Sequence, residues 1–161
     1  MDYYLRLQEL RQHINIVQAA QDGRLDLVKI ALGRNEKDTI DTAFTRAAWH
    51  GHLDIVKFLL EMGADIHAER ERALEEASAY GHADVVSFLL KSGADVHANN
   101  DEALLAASRN RSKRSLDIVK LLLENGANPN TNAALKDALE RKDTEMVYLL
   151  SSYGATIVPR K

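Results

Sequence analysis

The sequence predicts an all-α fold, a right-stacked helix–turn–helix solenoid of about five units behind an N-terminal capping helix. Three observations carry this. All eight glycines fall into two series, Gly23, Gly51, Gly81 and Gly33, Gly63, Gly93, Gly126, Gly154, with spacings of 28 and 30, and of 30, 30, 33 and 28. A self-similar period near 30 marks stacked repeats. Both prolines, Pro129 and Pro159, lie late in the 161-residue chain, which leaves the rest free to be helical. Aromatic residues make up only 6%, low for a sandwich or barrel, and strand-like alternation is nearly absent.

The elements follow in order. Residues 2–12 carry Leu5, Leu7 and Leu10 among Arg6, Gln8, Glu9 and Arg11, and so read as an amphipathic helix. It is expected to cap the first repeat, the cap spanning 1–13. The units are then 14–42, 43–70, 71–100, 101–132 and 133–157 of one domain, 1–161. Each unit opens with a helix that carries a small pair: Ala19-Ala20, Ala47-Ala48, Ala77-Ser78, Ala107-Ser108 and, less strictly, Ala138-Leu139. Small side chains let paired helices approach closely. The second helix starts at an acid (Asp26, Asp54, Asp84, Asp117, Glu145) that faces the positive end of the helix dipole. Such a charge contributes about 0.3–1 kcal/mol. Apolar pairs follow, such as Ile55-Val56 and Leu59-Leu60, at helical spacing. Gly63 and Gly93, just after this helix, are expected at positive φ as left-handed caps. The links Ala64–Ala68 and Ala94–Ala98 are at most short extended segments. A single unit cannot bury its apolar face, whereas a stack can.

Composition narrows the function. A net charge of -3 argues against a generic polyanion binder. The absence of cysteine removes disulfides, thiol nucleophiles and Cys-based metal sites together, and fits a cytoplasmic address. No window approaches the roughly 20 apolar residues of a membrane helix. The start, Met1-Asp2-Tyr3-Tyr4-Leu5-Arg6, lacks the pattern of a secretion signal.

Gly51-His52-Leu53-Asp54-Ile55-Val56-Lys57-Phe58-Leu59-Leu60-Glu61-Met62-Gly63-Ala64-Asp65-Ile66 resembles the second-helix half of the ankyrin consensus almost position for position, and Gly81 to Val96 repeats it. With the alanine pairs, the resemblance to the ankyrin-repeat family covers about 14–157. Two departures stand out. Ankyrin units usually run about 33 residues and open with T-P-L-H-x-A. Here they open as Ala43-Phe44-Thr45-Arg46-Ala47 or Arg72-Ala73-Leu74-Glu75-Glu76-Ala77, and are about three residues short between repeats. The family's projecting hairpin is therefore expected to be trimmed to a tight loop. This short variety, with its Asp-Ile-His-Ala phrase, looks like the ankyrin arrays of giant DNA viruses of amoebae and of some bacteria and phages; a viral origin would place it in host cytoplasm. The resemblance implies a rigid protein–protein recognition scaffold without catalysis. A stand-alone array without an effector domain suggests an adaptor or a stoichiometric inhibitor.

The candidate chemistry is sparse. Of six histidines, His52 and His82, and His67 and His97, recur thirty residues apart, which points to a structural role. His50-Gly51-His52 lacks a third ligand near in sequence, so no metal and no cofactor are expected. There is no phosphate-cradling glycine loop and no Gly-x-Ser-x-Gly elbow, and neither an enzyme nor a small-molecule substrate is expected.

Two segments are candidates for recognition. The fourth unit replaces Ala79-Tyr80-Gly81-His82 by Arg109-Asn110-Arg111-Ser112-Lys113-Arg114-Ser115, losing the turn glycine and gaining four positive charges in six residues. This insertion at 109–114 suits an acidic partner edge, or nucleic-acid phosphate as the alternative function; a plain solvated loop is the bland reading. The resemblance also implies that residues just after the small pair project into a concave groove. Here these are Gln21-Asp22, Trp49-His50, Ala79-Tyr80, Arg109-Asn110 and Glu140-Arg141. Trp49, Tyr80 and Arg109, taken as equivalent, would line up over about 20 Å at helix spacings near 10 Å. Trp, Tyr and Arg are enriched in binding hot spots. His50 on one flank and Arg111, Lys113 and Arg114 on the other would supply a polar rim. The alternative is that Trp49 merely packs over neighbouring helices.

Overall fold

The computed structural model describes Arg6 and residues 13–32, 37–112, 114–130 and 133–156. The expected cap over 1–13 lies almost wholly outside the described residues, as do Gly33 and Lys113.

Ten helices form five pairs among the described residues: α1 (Ile16–Gln21) with α2 (Leu25–Ala31), α3 (Lys37–His50) with α4 (Leu53–Glu61), α5 (Arg72–Tyr80) with α6 (Ala83–Lys91), α7 (Ala98–Arg109) with α8 (Ser115–Glu124), and α9 (Ala134–Glu140) with α10 (Thr144–Ser152). The described residues contain no strand. The first helices α1, α3, α5, α7 and α9 pack in that order, and the second helices form a parallel, more loosely packed row behind them. α3 starts at Lys37 and so crosses position 42/43, where the sequence reading divides the first unit from the second.

The small pairs explain the tight front layer. Ala20, Ala47, Ala48, Ala77, Ser78, Ala107, Ser108 and Ala138 are fully buried, so little but backbone separates adjacent first helices. The second helices supply the bulk of the core through Val28, Ile55, Val56, Leu59, Val85, Val86, Leu89, Ile118, Leu122, Met146 and Leu150. Burying each such side chain stabilises by about 1.5–3 kcal/mol before entropy is counted.

Two hydrogen-bond series tie each unit to the next. In the first, the residue after a first helix reaches back to the last turn of the previous one. His52 Nε2 donates to the Gln21 carbonyl at 3.0 Å and His82 Nε2 to the Trp49 carbonyl at 2.8 Å. Asn110 Nδ2 donates to the Ala79 carbonyl at 2.8 Å, and Arg141 Nη2 to the Ser108 carbonyl at 2.7 Å. This explains the glycine before His52. Gly51 has φ 76. A Cβ there would also lie 2.7 Å from Cε1 of the His82 ring arriving from the next unit. Positive φ is thus not confined to the glycines after second helices: Gly63 and Gly93 have φ 95 and 99, but Gly23, Gly51 and Gly81 have 71, 76 and 86. In the fifth unit Lys142 takes the left-handed position at φ 59.

The second series lies between units, where the trimmed hairpin is expected. Each of two links is a single left-handed turn: Glu69, Arg70 and Glu71 at φ 51, 59 and 65, and Asn99, Asn100 and Asp101 at 51, 63 and 58, the latter falling within the bounds of α7, whose right-handed part follows Asp101. Left-handed backbone costs an L-residue about 1–2 kcal/mol. The last residue of each turn offsets this through its carboxylate. Glu71 Oε1 accepts the Asp95 amide of the following unit at 3.0 Å, and Asp101 Oδ1 accepts the Asn128 amide at 2.9 Å. Asp41, thirty residues before Glu71, accepts the Asp65 amide at 2.7 Å in the same way. Glu71 and Asp101 are almost fully buried. Each also receives a histidine Nδ1 from four residues earlier, His67 on Glu71 and His97 on Asp101, the latter at 3.0 Å. The thirty-residue recurrence of the histidines is therefore structural.

Candidate functional site

Trp49 occupies the last turn of α3, half-buried, among side chains of its own array. The Arg46 guanidinium, one turn earlier, sits 4.7 Å from its ring centroid. His50 stacks beside it at 5.8 Å and 16°, and Tyr80, at the end of α5, leans on it at 5.4 Å and 37°. His50 stacks in turn on His52 at 6.2 Å. Tyr80 keeps 53% of its surface exposed. Trp49 packs across to its neighbour, and the pair presents one aromatic surface, with Tyr80 as the more open ring.

The expected three-residue stripe needs correction. Counted from the turn glycines, Trp49 stands two residues before Gly51 but Tyr80 stands one before Gly81, so they are not equivalent; Trp49 matches Ala79. The rings meet because Trp49 reaches across to the helix where its own counterpart is only a methyl group. Arg109 does not extend the cluster by any ring contact. Its guanidinium is 4.0 Å from Asp137 on α9.

The basic segment divides likewise. Arg111 and Arg114 are exposed and have no acidic partner among the described residues. Asn110 is engaged in the inter-unit bond to Ala79 and accepts the Ser112 amide at 2.8 Å. Arg141 is only 20% exposed, bonded to the Ser108 carbonyl and paired with Asp137 at 2.8 Å. Both therefore hold units together. Glu140 is exposed and lies 3.5 Å from Lys136.

A family model for ankyrin repeats in three copies matches residues 16–100 and again residues 77–161. The chain belongs to the ankyrin-repeat family. No curated protein matches it significantly.

Among the described residues the ankyrin array has concavities that sequence reasoning did not single out, three of which bear on recognition. A pocket of about 90 Å³ lies beneath Trp49, between α3 and α5, and is lined by Thr42, Thr45, Arg46, Glu69, Arg72 and Glu76. A cleft of about 400 Å³ lies where the basic insertion meets the start of α10, bounded by Arg111, Ser115, Arg141, Asp143 and Glu145. Leu116 and Glu145 join it to an open, more apolar cleft of about 410 Å³ between α8 and α10, where Tyr148 is 78% exposed. Tyr148 had a readable signal: its counterparts in the other repeats are Lys29, Lys57, Ser87 and Lys120, so the fifth repeat carries an aromatic at an outward position. Among the described residues no three of His, Asp and Glu converge as a metal site, and no helix is long and apolar enough to cross a membrane.

Charge is perturbed in few places. His67 is held above the ordinary histidine value by its bond to the Glu71 carboxylate. Burial pushes the Glu75 carboxyl up, aided by neighbouring Glu76 and Glu102 and opposed by Arg72. Neither group has a nucleophile or ligand set beside it, so both read as features of packing.

Proposed function

We propose that this ankyrin array is a non-enzymatic protein-binding module, an adaptor or stoichiometric inhibitor, that recognises its partner through the surface of the first-helix layer centred on Tyr80 and Trp49. Ankyrin repeats are, as a class, protein–protein interaction modules. The observation that carries the placement is the aromatic pair: an exposed tyrosine seated on a tryptophan that is itself clamped by Arg46 and His50. Such rings enter an interface already ordered, so association loses little rotamer entropy. Arg111 and Arg114 supply a basic flank that suits a partner with an acidic edge and hastens encounter. The lack of cysteine suits the reducing cytoplasm.

The test uses a partner captured from the native host and purified. Tyr80→Ala is expected to weaken binding by about 2 kcal/mol or more with the fold intact by circular dichroism. Normal binding by Tyr80→Ala and by Trp49→Ala would remove the aromatic face from the account.

A second reading, nucleic-acid binding, is favoured by one observation, the two arginines of the insertion, Arg111 and Arg114, that have no acidic partner among the described residues. Salt separates the readings. Phosphate contacts make affinity fall steeply and linearly in log–log form with salt, whereas an aromatic-centred interface responds weakly.

A further inference from the structure

We propose that Ser112, in the basic insertion, is a phosphorylation site for an arginine-directed protein kinase, and that a phosphate there weakens the basic flank of the binding face. This deepens the protein-binding reading and rests on it for its consequence, though not for the modification itself.

Three serines lie in or beside the insertion, and the fold leaves one of them open. Ser108 is fully buried in the front layer, and Ser115 is 5% exposed in the first turn of α8. Ser112 is exposed and lies outside both helices. Residues 110–114 lead from α7 to α8, where only Gly51-His52 and Gly81-His82 join the helices of the second and third units. The backbone leaves α7 at once, with Asn110 extended at φ -69 and ψ 128. The bond from Asn110 to the Ala79 carbonyl fixes the root of the loop. The Ser112 hydroxyl makes no hydrogen bond to a described residue. Beside it stands Gly81, which has no side chain to cover it: an added Cβ there would lie 3.4 Å from Ser112 Oγ. The fold thus presents an accessible, uncommitted hydroxyl on non-helical backbone, as a kinase cleft requires.

Its neighbours supply the recognition. Arg109 and Arg111 stand three and one residues before Ser112, and Lys113 and Arg114 one and two after. Arg111 and Arg114 are exposed and have no acidic partner among the described residues. Arg109 reaches Asp137 only at 4.0 Å and is 56% exposed, a pair weak enough to release. Thr144 offers the nearest imitation, with Arg141 and Lys142 before it. There Arg141 is committed to the Ser108 carbonyl and to Asp137, and Thr144 opens α10 with an acid, Glu145, after it.

In the step, Ser112 Oγ bonds to the γ-phosphorus of ATP while the bond from that phosphorus to the β,γ-bridging oxygen breaks. ADP leaves, and the hydroxyl proton passes to the kinase's carboxylate base. The phosphate adds about 1.5 to 2 negative charges at pH 7. It does so among the four positive side chains of residues 109–114, so the insertion keeps roughly half its charge. The attraction that hastens encounter with an acidic partner edge falls with it.

The full chain is incubated with magnesium–ATP and the catalytic fragment of protein kinase C, which accepts serines with basic residues on both sides. Tandem mass spectrometry maps the sites. A peptide of residues 107–117, in which all three serines are open, is run alongside. The proposal expects phosphate on Ser112 of the folded chain and none after Ser112→Ala, with circular dichroism unchanged. The phosphorylated chain should associate with the purified partner about threefold or more slowly at low salt, with the difference shrinking as salt rises. Kinase-treated Ser112→Ala should associate at the untreated rate. A folded chain that takes no phosphate at Ser112, or takes it at Ser115 or Thr144 instead, would overturn the site; a peptide modified while the chain is not would show the loop to be closed. An association rate indifferent to phosphate on Ser112 would overturn its regulatory role. Tyr80→Ala leaves phosphate incorporation untouched, so the modification and the aromatic binding face fail separately.

Discussion

Gly51→Ala and Gly63→Ala make the same chemical change at two left-handed positions, φ 76 and 95, and the structure assigns them different costs. Placing an L-residue in that region costs about 1–2 kcal/mol. Both substitutions also restrict the unfolded chain by a similar amount, which cancels in the comparison. At Gly63 no atom lies within 4 Å of an added Cβ, so the conformational term is the whole effect. At Gly51 the new methyl collides with the His82 ring, 2.7 Å from Cε1. The ring must leave, and its bond to the Trp49 carbonyl goes with it. That bond contributes about 0.5–1.5 kcal/mol. Gly51→Ala should therefore cost about 1.5–3.5 kcal/mol. Urea unfolding followed by circular dichroism and by Trp49 fluorescence measures both. The sharper form is a double-mutant cycle: in a His82→Ala background, the increment from Gly51→Ala should drop to the Gly63→Ala value. Equal costs at Gly51 and Gly63, or an increment indifferent to His82, would refute the reasoning.

Three further outcomes follow from two inter-unit carboxylates, Asp101 and Glu71, and from Glu75. Asp101→Ala strands the Asn128 amide and the His97 Nδ1 and should destabilise by about 2–3 kcal/mol, whereas Asp101→Asn keeps an acceptor and tolerates the left-handed backbone, so urea midpoints should show it largely rescued. The folded pKa of His67 lies above 6.5, so its bond to Glu71 stabilises fully below pH 6.5 and the gain is lost as pH rises through the folded value; 60% exposure keeps this well under about 1 kcal/mol, and thermal melts of His67→Ala should show a flatter pH profile on the alkaline side of 6.5. The Glu75 carboxyl is raised above 4.5, so its ionisation opposes folding: Glu75→Gln should leave stability unchanged below pH 4.5 and raise it at pH 7, by denaturant titration at the two pH values.

The repeat architecture was legible because it rests on backbone needs that few residues meet. Helix pairs, their order and their small faces follow from the glycine register and from Ala47-Ala48 and its counterparts. The role of His52 and His82 was legible as structural, from their thirty-residue recurrence, though not their partners. The left-handed turns were not legible. Glu69, Arg70 and Glu71 are ordinary helix formers, and their conformation is stabilised by partners outside the turn, the amide of Asp95 in the next unit above all, with His67 on the same carboxylate. Asn110 and Arg141 read as contact residues because they follow the small pair; with no turn glycine in the fourth and fifth repeats, nothing in the sequence marks their place in the series begun by His52. The aromatic pair was half legible: Trp49 and Tyr80 stood out by type, but their meeting depends on the one-residue offset between them. The Thr45–Arg46 pocket had no signature at all, since it exists only where α3 faces α5.

Hydrogen–deuterium exchange of the array, alone and saturated with its purified partner, tests the central claim most directly. The account predicts new protection at the ends of α3 and α5 and the turn between them, residues 45–52 and 69–82, with the α8 and α10 surfaces unchanged. Protection confined to residues 110–117 and 143–149, with the Trp49–Tyr80 region exchanging as in the free protein, would contradict it and move the site to the clefts beside the basic insertion.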